Sequence, residues 1–148
     1  MAIPKPKPET KAEKLARKKA KHALTVTGQK ELIKKEMTKA DKLFQEWGRK
    51  TYKQCFCGGE YSCLHHFILK SHSLFLRYNK KNGVPICVKC HCNIHLREDF
   101  ILILEIKDYM TRIWGDDWEN FIKIYRHEIQ DKSLAFIKSE VEKLQSNP

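Results

Sequence analysis

The chain is 148 residues long, which suits one domain or one small core with extensions. Hydrophobic residues make up 41% of it, enough for an ordinary core, but the apolar run at residues 100–104 is too short to cross a membrane. The net charge of +11 is uneven, because residues 1–50 carry +9, residues 51–100 carry +4 and residues 101–148 carry −2. A basic front half predicts a polyanionic partner, DNA above all; the alternative is a highly charged, solvated helical surface.

The first fifty residues predict a basic tail and a helical arm. Residues 1–9 alternate proline with lysine and should form a disordered basic tail. The arm spans residues 10–50 and opens with a capping-box pattern at Thr10 and Glu13. A second helix is expected from about 29 to 49, with apolar residues at helical spacing that predict a buried face. A stripe of lysines on the first helix predicts contacts with phosphates: Lys11, Lys14, Lys18 and Lys21.

Residues 51–98 differ in composition from the rest of the chain, because Cys, His and Gly are concentrated there. Tyr61 to Phe67 and residues 84–86 predict two short strands, and the polar residues 70–82 between them predict a loop. A helix from Val88 to about Arg97 should follow. The site chemistry of the chain is therefore expected in this segment.

Residues 99–148 predict a helical scaffold without evident chemistry. One helix should end in a left-handed cap at Gly115, and Asp116 or Asp117 should start the next. Apolar residues recur every three or four positions in these segments, as in helices with one buried face.

Four cysteines have the spacing of a metal site. They are Cys55, Cys57, Cys87 and Cys90. No secretory signal is found at the amino terminus, so a cytoplasmic, reducing setting is expected, where thiols bind metal instead of forming disulfides. We predict a structural Zn²⁺ on the four thiolates. Cys63 is the alternative to Cys55 as a ligand, and Cys92 is expected to be a plain buried thiol.

Histidines in the same region predict a second, more open site. His91 and His95 are spaced i and i+4, so both face one side of a helix. His65 and His66 lie on the preceding strand and point to opposite faces, so that one can bind metal while the other addresses water. Imidazole titrates near neutral pH and can take the proton of a water molecule. The pattern therefore predicts a second metal site that is more open than the cysteine site.

Together with Asn82, these histidines resemble the HNH nuclease motif of the ββα-metal superfamily. The resemblance implies His66 as general base, Asn82 as the residue that braces the loop, and a catalytic divalent cation held by three imidazoles. The ligands would be His65, His91 and His95, and the cation Mg²⁺, Mn²⁺, Ni²⁺ or Zn²⁺. The implied fold is α+β, with a small zinc-stapled ββα-metal (HNH) core embedded in α-helices and a basic helical arm ahead of it.

Residues 76–82 and 87–90 also resemble the NinG/Rap recombination endonucleases of lambdoid phages. That resemblance implies a phage-encoded nuclease that cleaves branched DNA in the cytoplasm of a bacterial host. Three features depart from that family: Cys-x-Cys replaces Cys-x-x-Cys, His91 replaces an asparagine, and His65 adds a ligand. The last two bring the site closer to histidine-rich HNH nucleases such as the bacterial toxin DNases.

The implied enzyme is a phosphodiester hydrolase acting on DNA, with no membrane partner and with homodimerisation left open. Arg77 is predicted to grip the scissile phosphate with its forked guanidinium. The other cations expected around the site are Lys70, Lys80, Lys81 and Arg97. Two alternatives remain: a zinc-binding DNA-binding module without catalysis, and a site-specific HNH endonuclease of the homing or restriction type.

Overall fold

The computed structural model describes residues 9–97, 99–128 and 132–146, with the side chain of Arg97 left out. Within these residues the chain is rich in α-helix and holds one two-stranded antiparallel sheet. The predicted tail falls outside the described residues except for Glu9. The elements in chain order are α1 (Lys11–Ala23), α2 (Val26–Thr51), β1 (Cys63–His66), α3 (Leu74–Arg77), a 3₁₀ turn (Lys80–Asn82), β2 (Gly83–Ile86), α4 (Val88–Arg97), α5 (Phe100–Trp114), α6 (Trp118–Tyr125) and α7 (Leu134–Ser146).

The two helices of the arm form a helical hairpin. Thr10 caps α1 through the predicted capping box with Glu13, whose carboxylate accepts from the Thr10 backbone N–H at 2.7 Å. Thr25 caps α2 by accepting from the Gly28 N–H at 3.0 Å. The hairpin closes tightly, because a β-carbon on Gly28 would overlap the carbonyl of His22. α1 buries no residue, so its lysine stripe faces solvent.

Helix α2 is the spine of the fold, and α7 packs along it. The predicted buried face of α2 is confirmed at Ala40, Phe44 and Trp47, which join Ile137 and Val141 of α7 in one apolar cluster. Burial of such side chains is the main favourable term in folding, at about 25 cal/mol per Å² of apolar surface. The spine therefore gives β1, which packs on the same cluster through Leu64, a rigid support.

The sheet pairs Cys63 with Ile86 and His66 with Gly83. Burial alternates along β1, so Leu64 and His66 face inward towards α2 while His65 faces the other way. Helix α4 follows β2 directly and completes a strand–strand–helix unit.

A second apolar cluster lies on the other side of the sheet. Val84 and Ile86 pack there with Ile106 and Met110 of α5 and with Trp118 of α6. The Trp118 indole is 1% exposed and donates to the Lys81 carbonyl at 2.7 Å. The site-bearing unit is therefore held between two cores.

Most predicted element boundaries are close to the observed ones. α4 spans the predicted residues, and α5 ends at Trp114, followed by Gly115 with the positive φ of 88° that favours glycine; its ψ of 170° is extended, so the predicted left-handed helical cap was right in φ only. The prediction of a loop at residues 70–82 was wrong, because Ser73 caps the short α3 and a 3₁₀ turn follows. None of the described helices combines the length and apolar composition needed to cross a membrane.

Candidate metal centres and catalytic site

Four cysteine sulfurs cluster where α4 meets the turn before β1. All four Sγ atoms lie within 4.8 Å of one another. Cys57 is 3.3 Å from Cys55, 3.6 Å from Cys90 and 4.0 Å from Cys87, between sulfurs. Four thiolates bound to Zn²⁺ at about 2.3 Å would be about 3.8 Å apart at tetrahedral angles. The tetrad therefore fits a structural zinc ion.

Local backbone contacts build the tetrad. The Cys55 N–H donates to the Gly59 carbonyl at 2.8 Å, and the positive φ of Gly58, 85°, closes the turn that carries Cys57. The Cys90 N–H approaches the Cys87 sulfur at 3.4 Å at the start of α4, and this contact lowers the pKa of the Cys87 thiol to about 7. Burial raises the pKa of Cys55 to about 11, so its thiolate needs a bound cation at neutral pH.

The two remaining cysteines lie outside the tetrad. Cys63 is half-buried on β1 and is not one of the clustered sulfurs, so the structure favours Cys55 as the fourth ligand. The expectation of a buried Cys92 was wrong, because its position on α4 faces solvent.

Three imidazoles form the second cluster. One ligand nitrogen each of His65, His91 and His95 lies within 4.8 Å of the other two. The ring centroids are 5.4 Å apart for His65–His91, 5.1 Å for His65–His95 and 4.7 Å for His91–His95. Two metal–nitrogen bonds of about 2.1 Å span at most about 4.2 Å, so the nitrogens lie close to the separations that ligands of one cation have. The donor set thus fits a transition metal.

Burial keeps this cluster ready for a cation. Burial, followed by the charges of His95 and His91, lowers the pKa of His65 to about 4. Burial also lowers the pKa of His91. Imidazole ligates only in its neutral form, so the lone pairs of these two rings are available at neutral pH.

His66 is held on the opposite face of β1 from His65. Its ring stacks on Phe44 of α2 with centroids 5.0 Å apart and planes 26° apart. Its Nε2 lies 2.8 Å from the Arg77 carbonyl oxygen, which can only accept, so Nε2 donates and the neutral ring carries its lone pair on Nδ1. Burial lowers the pKa of His66, which favours that neutral form.

His65 and His66 contribute to the same cavity although their side chains point to opposite faces of β1. Both line a cavity of about 330 Å³ at the end of β1, together with His91 and His95. The cluster of imidazoles and a fixed fourth imidazole therefore share one water-accessible space.

Asn82 fastens the segment between the two strands. Its side chain is fully buried, accepts from the Ile68 N–H at 2.7 Å, and donates to the carbonyls of Ile68 at 2.9 Å and Leu76 at 3.1 Å. Its own carbonyl accepts from the Phe67 N–H at 2.9 Å, directly after His66. These bonds support the bracing role that the resemblance implies for this residue.

Replacing Asn82 with alanine should therefore destabilise the protein markedly. The change removes the side-chain partner of the Ile68 N–H and of the Ile68 carbonyl, at about 1–3 kcal/mol each, whereas the Leu76 carbonyl still accepts from the Asn79 N–H. We expect urea unfolding to show a loss of about 2–5 kcal/mol. Asn120→Ala is the control, because Asn120 is exposed on α6 and its change should alter stability by less than about 0.5 kcal/mol. Equal stabilities of the two variants would contradict the bracing role.

The structure places Arg77 in an ion pair instead of facing the cavity. Its Nε donates to Asp41 Oδ1 at 2.9 Å and its Nη2 to Oδ2 at 2.6 Å, and its side chain is 16% exposed. Its guanidinium also lies 5.6 Å from the centre of the Tyr78 ring. The forked edge predicted to grip phosphate is thus occupied by a carboxylate, and the part of Arg77 that reaches the site is the carbonyl that orients His66.

The Asp41–Arg77 pair should contribute to stability, because it is bidentate and largely shielded from water. A double-mutant cycle with Asp41→Asn and Arg77→Met is expected to give a coupling free energy of about 1–3 kcal/mol in urea unfolding. A cycle on the exposed pair Arg17–Glu9 provides the comparison, at about 0.2–1 kcal/mol. A coupling free energy near zero for Asp41–Arg77 would show that the ion pair does not stabilise the fold.

The predicted basic residues do not form one ring around the histidines. Lys70 lines the histidine cavity, with its amino group 4.0 Å from Asp41 and its side chain 54% exposed. Lys80 and Lys81 line a different cavity. The backbone of Arg97 ends α4, and its side chain lies outside the description.

Sequence reasoning missed two residues of α2 that support the site. Gln45 accepts from the Leu64 N–H at 2.9 Å and donates to the Leu64 carbonyl at 2.7 Å, so it clamps β1 from the side and lines the histidine cavity. Asp41 lies one turn earlier and holds Arg77. Both are polar residues close in sequence to the buried Phe44. A polar residue at the edge of the apolar face of α2 was the sequence feature that could have indicated them.

The chain was compared with known families, proteins and structures. No protein-family model matches the chain, and searches of curated proteins and solved structures return no similar protein.

Proposed function

We propose that the chain is a metal-dependent endonuclease with an HNH-like core that hydrolyses phosphodiester bonds in DNA. The observation that carries the proposal is the convergence of His65, His91 and His95 within 4.8 Å beside a fourth imidazole in the same cavity. A site that binds only structural zinc does not require a fourth imidazole beside it. Two histidines that merely lie on the surface would not converge with a third. The arrangement matches a hydrolytic centre that separates metal binding from proton transfer.

His66 takes the proton of the attacking water in this proposal. Its Nε2–H is fixed on the Arg77 carbonyl, so Nδ1 is the acceptor and its direction is set before substrate binds. Asn82 keeps the carbonyl-bearing segment in place. A bound divalent cation would supply positive charge to the scissile phosphate and the leaving oxygen.

Lys70 is the side chain best placed to meet the phosphate. Its amino group lies at the cavity and half of its side chain is exposed, while the forked edge of Arg77 is occupied. Lys11, Lys14, Lys18 and Lys21 extend a positive surface along the arm. Such contacts bind phosphates without reading bases, and each adds about 0.9 to the negative log–log salt slope on duplex DNA.

The resemblance to phage recombination endonucleases extends the proposal to branched DNA in a bacterial cytoplasm. The identity of the catalytic cation is left open among Mg²⁺, Mn²⁺, Ni²⁺ and Zn²⁺, because imidazoles favour transition metals while Mg²⁺ is the usual partner of phosphates.

A nicking assay tests the proposal. Zinc-loaded protein is incubated with supercoiled plasmid and increasing concentrations of each cation, and the conversion to nicked circles is followed. We expect conversion that depends on the added cation. Protein that binds the plasmid in a gel-shift assay but leaves it intact with every cation would instead identify a zinc-dependent DNA-binding module.

A further inference from the structure

A second cavity is lined by Tyr78, the residue that follows the Arg77 carbonyl bound by His66. It has a volume of about 410 Å³, within the range of small-molecule sites. The 3₁₀ turn, α3, α5 and α7 contribute to it. Its walls combine basic and aromatic side chains, chiefly Phe75, Lys80, Lys81, Trp114 and Lys143.

The cavity carries positive charge at positions that are unusual for lysine. Lys80 and Lys81 are both half-buried, although lysine is mostly exposed in proteins. The Lys80 amino group lies 5.1 Å from the centre of the Trp47 ring, and that of Lys81 lies 4.9 Å from the centre of the Phe121 ring. Among the described residues, no carboxylate oxygen lies within 4.0 Å of Lys81. The face of the Phe121 ring therefore holds the Lys81 ammonium group without neutralising it.

Lys143 and Glu140 on α7 largely cancel each other. Their charged groups are 2.6 Å apart, and both residues line the cavity. The lining thus keeps the charge of Lys81, which suits a ligand that carries phosphate.

Aromatic rings give the same cavity a flat apolar surface. Phe75 is half-buried and fixed by stacking on Tyr125, with centroids 4.5 Å apart and planes 18° apart. Trp114 is half-buried at the end of α5. Sites that combine lysines with aromatic rings suit single-stranded nucleic acid, because unpaired bases stack on the rings while the phosphates meet the charges.

One backbone segment connects residues of the two cavities. His66 donates to the carbonyl of Arg77, and the next residue, Tyr78, already lines the second cavity. The volume of about 410 Å³ suits a ligand of the size of one unpaired nucleotide.

We propose that this cavity binds an unpaired nucleotide of single-stranded DNA that is continuous with the strand cut at the histidine site. The proposal rests on the proposed nuclease function and adds to it a reason for selecting branched or flapped DNA over plain duplex. Lys81 holds a phosphate, and Trp114 stacks on a base.

Fluorescence anisotropy with a labelled single-stranded oligonucleotide tests the proposal. The protein is loaded with zinc, carries His66→Gln to suppress cutting, and is measured without added divalent cation. Trp114→Ala should weaken binding about 5- to 150-fold, the effect of one lost base stack, whereas Trp114→Phe should keep it. Lys81→Met should reduce the negative salt slope by about 0.7, and Lys53→Met, an exposed matched control, should remove the same charge with no change in slope.

The outcomes separate the two proposals. Equal effects of Lys81→Met and Lys53→Met, or unchanged binding by Trp114→Ala, would overturn the nucleotide cavity while plasmid nicking by the wild type would still support the nuclease. It would also be overturned if Trp114→Ala weakened the binding of a labelled duplex as much as that of the single strand. Displacement of the oligonucleotide by inorganic phosphate at equal concentration would overturn it as well. Zinc content and circular dichroism of each variant show that the fold is retained.

Discussion

Replacing Cys90 with serine is expected to unfold the zinc-stapled part of the protein. Cys90 is buried in the apolar cluster of β2 and α5 and is one of the four clustered sulfurs. Structural zinc sites contribute about 10–16 kcal/mol of apparent binding free energy at pH 7, which is folding free energy when the apo site does not persist. We expect the purified variant to lack zinc and its cooperative thermal transition to be lost or strongly lowered.

The matched control for that change lies on the same helix. Cys92 is exposed and outside the tetrad, so Cys92→Ser should keep both the zinc and the melting temperature. A chelator added to the wild type should reproduce the loss seen in Cys90→Ser. Identical zinc content and melting for the two variants would show that the tetrad is only a cluster of thiols.

Replacing His66 with glutamine should lower plasmid nicking by about a hundred- to ten-thousand-fold. The glutamine amide can still donate to the Arg77 carbonyl and fill most of the space beside Phe44, but it cannot accept the proton of water. The initial rate of nicking at saturating cation measures the loss. His66→Ala should show the same loss with some additional instability, because it also removes the ring that stacks on Phe44.

The controls for this prediction separate chemistry from folding. His127→Ala changes an exposed histidine of the chain and should leave nicking unchanged. Duplex binding by His66→Gln should remain at the wild-type level, because His66 supplies no phosphate contact in this account. Nicking by His66→Gln at the wild-type rate would remove His66 from the mechanism.

Local sequence patterns predicted the elements that carry the site. The spacing of His91 and His95 placed both on one face of α4, whose bounds were predicted correctly, and Gly115 marked the end of α5 because a positive φ favours glycine there. The cysteine spacing predicted four sulfurs that the fold does bring together. These features depend on residues close in sequence or on metal chemistry, which a sequence displays directly.

Contacts between distant segments were the part that sequence could not supply. Arg77 was predicted to bind phosphate. Its ion pair with Asp41 was missed because Asp41 lies on α2, 36 residues earlier in the chain. Lys80 and Lys81 looked like neighbours of the histidines, but burial of Trp118 against the Lys81 carbonyl turns that segment towards α5 and α7. α3 was missed because its helix rests on the Ser73 cap and on buried Leu74 and Leu76 within a polar stretch.

Calorimetric titration of Ni²⁺ into the zinc-loaded protein tests most directly whether the imidazoles of β1 and α4 bind one cation. We expect the wild type to take up one Ni²⁺ ion per chain in addition to its zinc, and the double variant His91→Ala/His95→Ala to take up none while keeping its zinc and its helical circular dichroism. Equal Ni²⁺ uptake by the two proteins, or plasmid nicking by the double variant at the wild-type rate, would contradict the account.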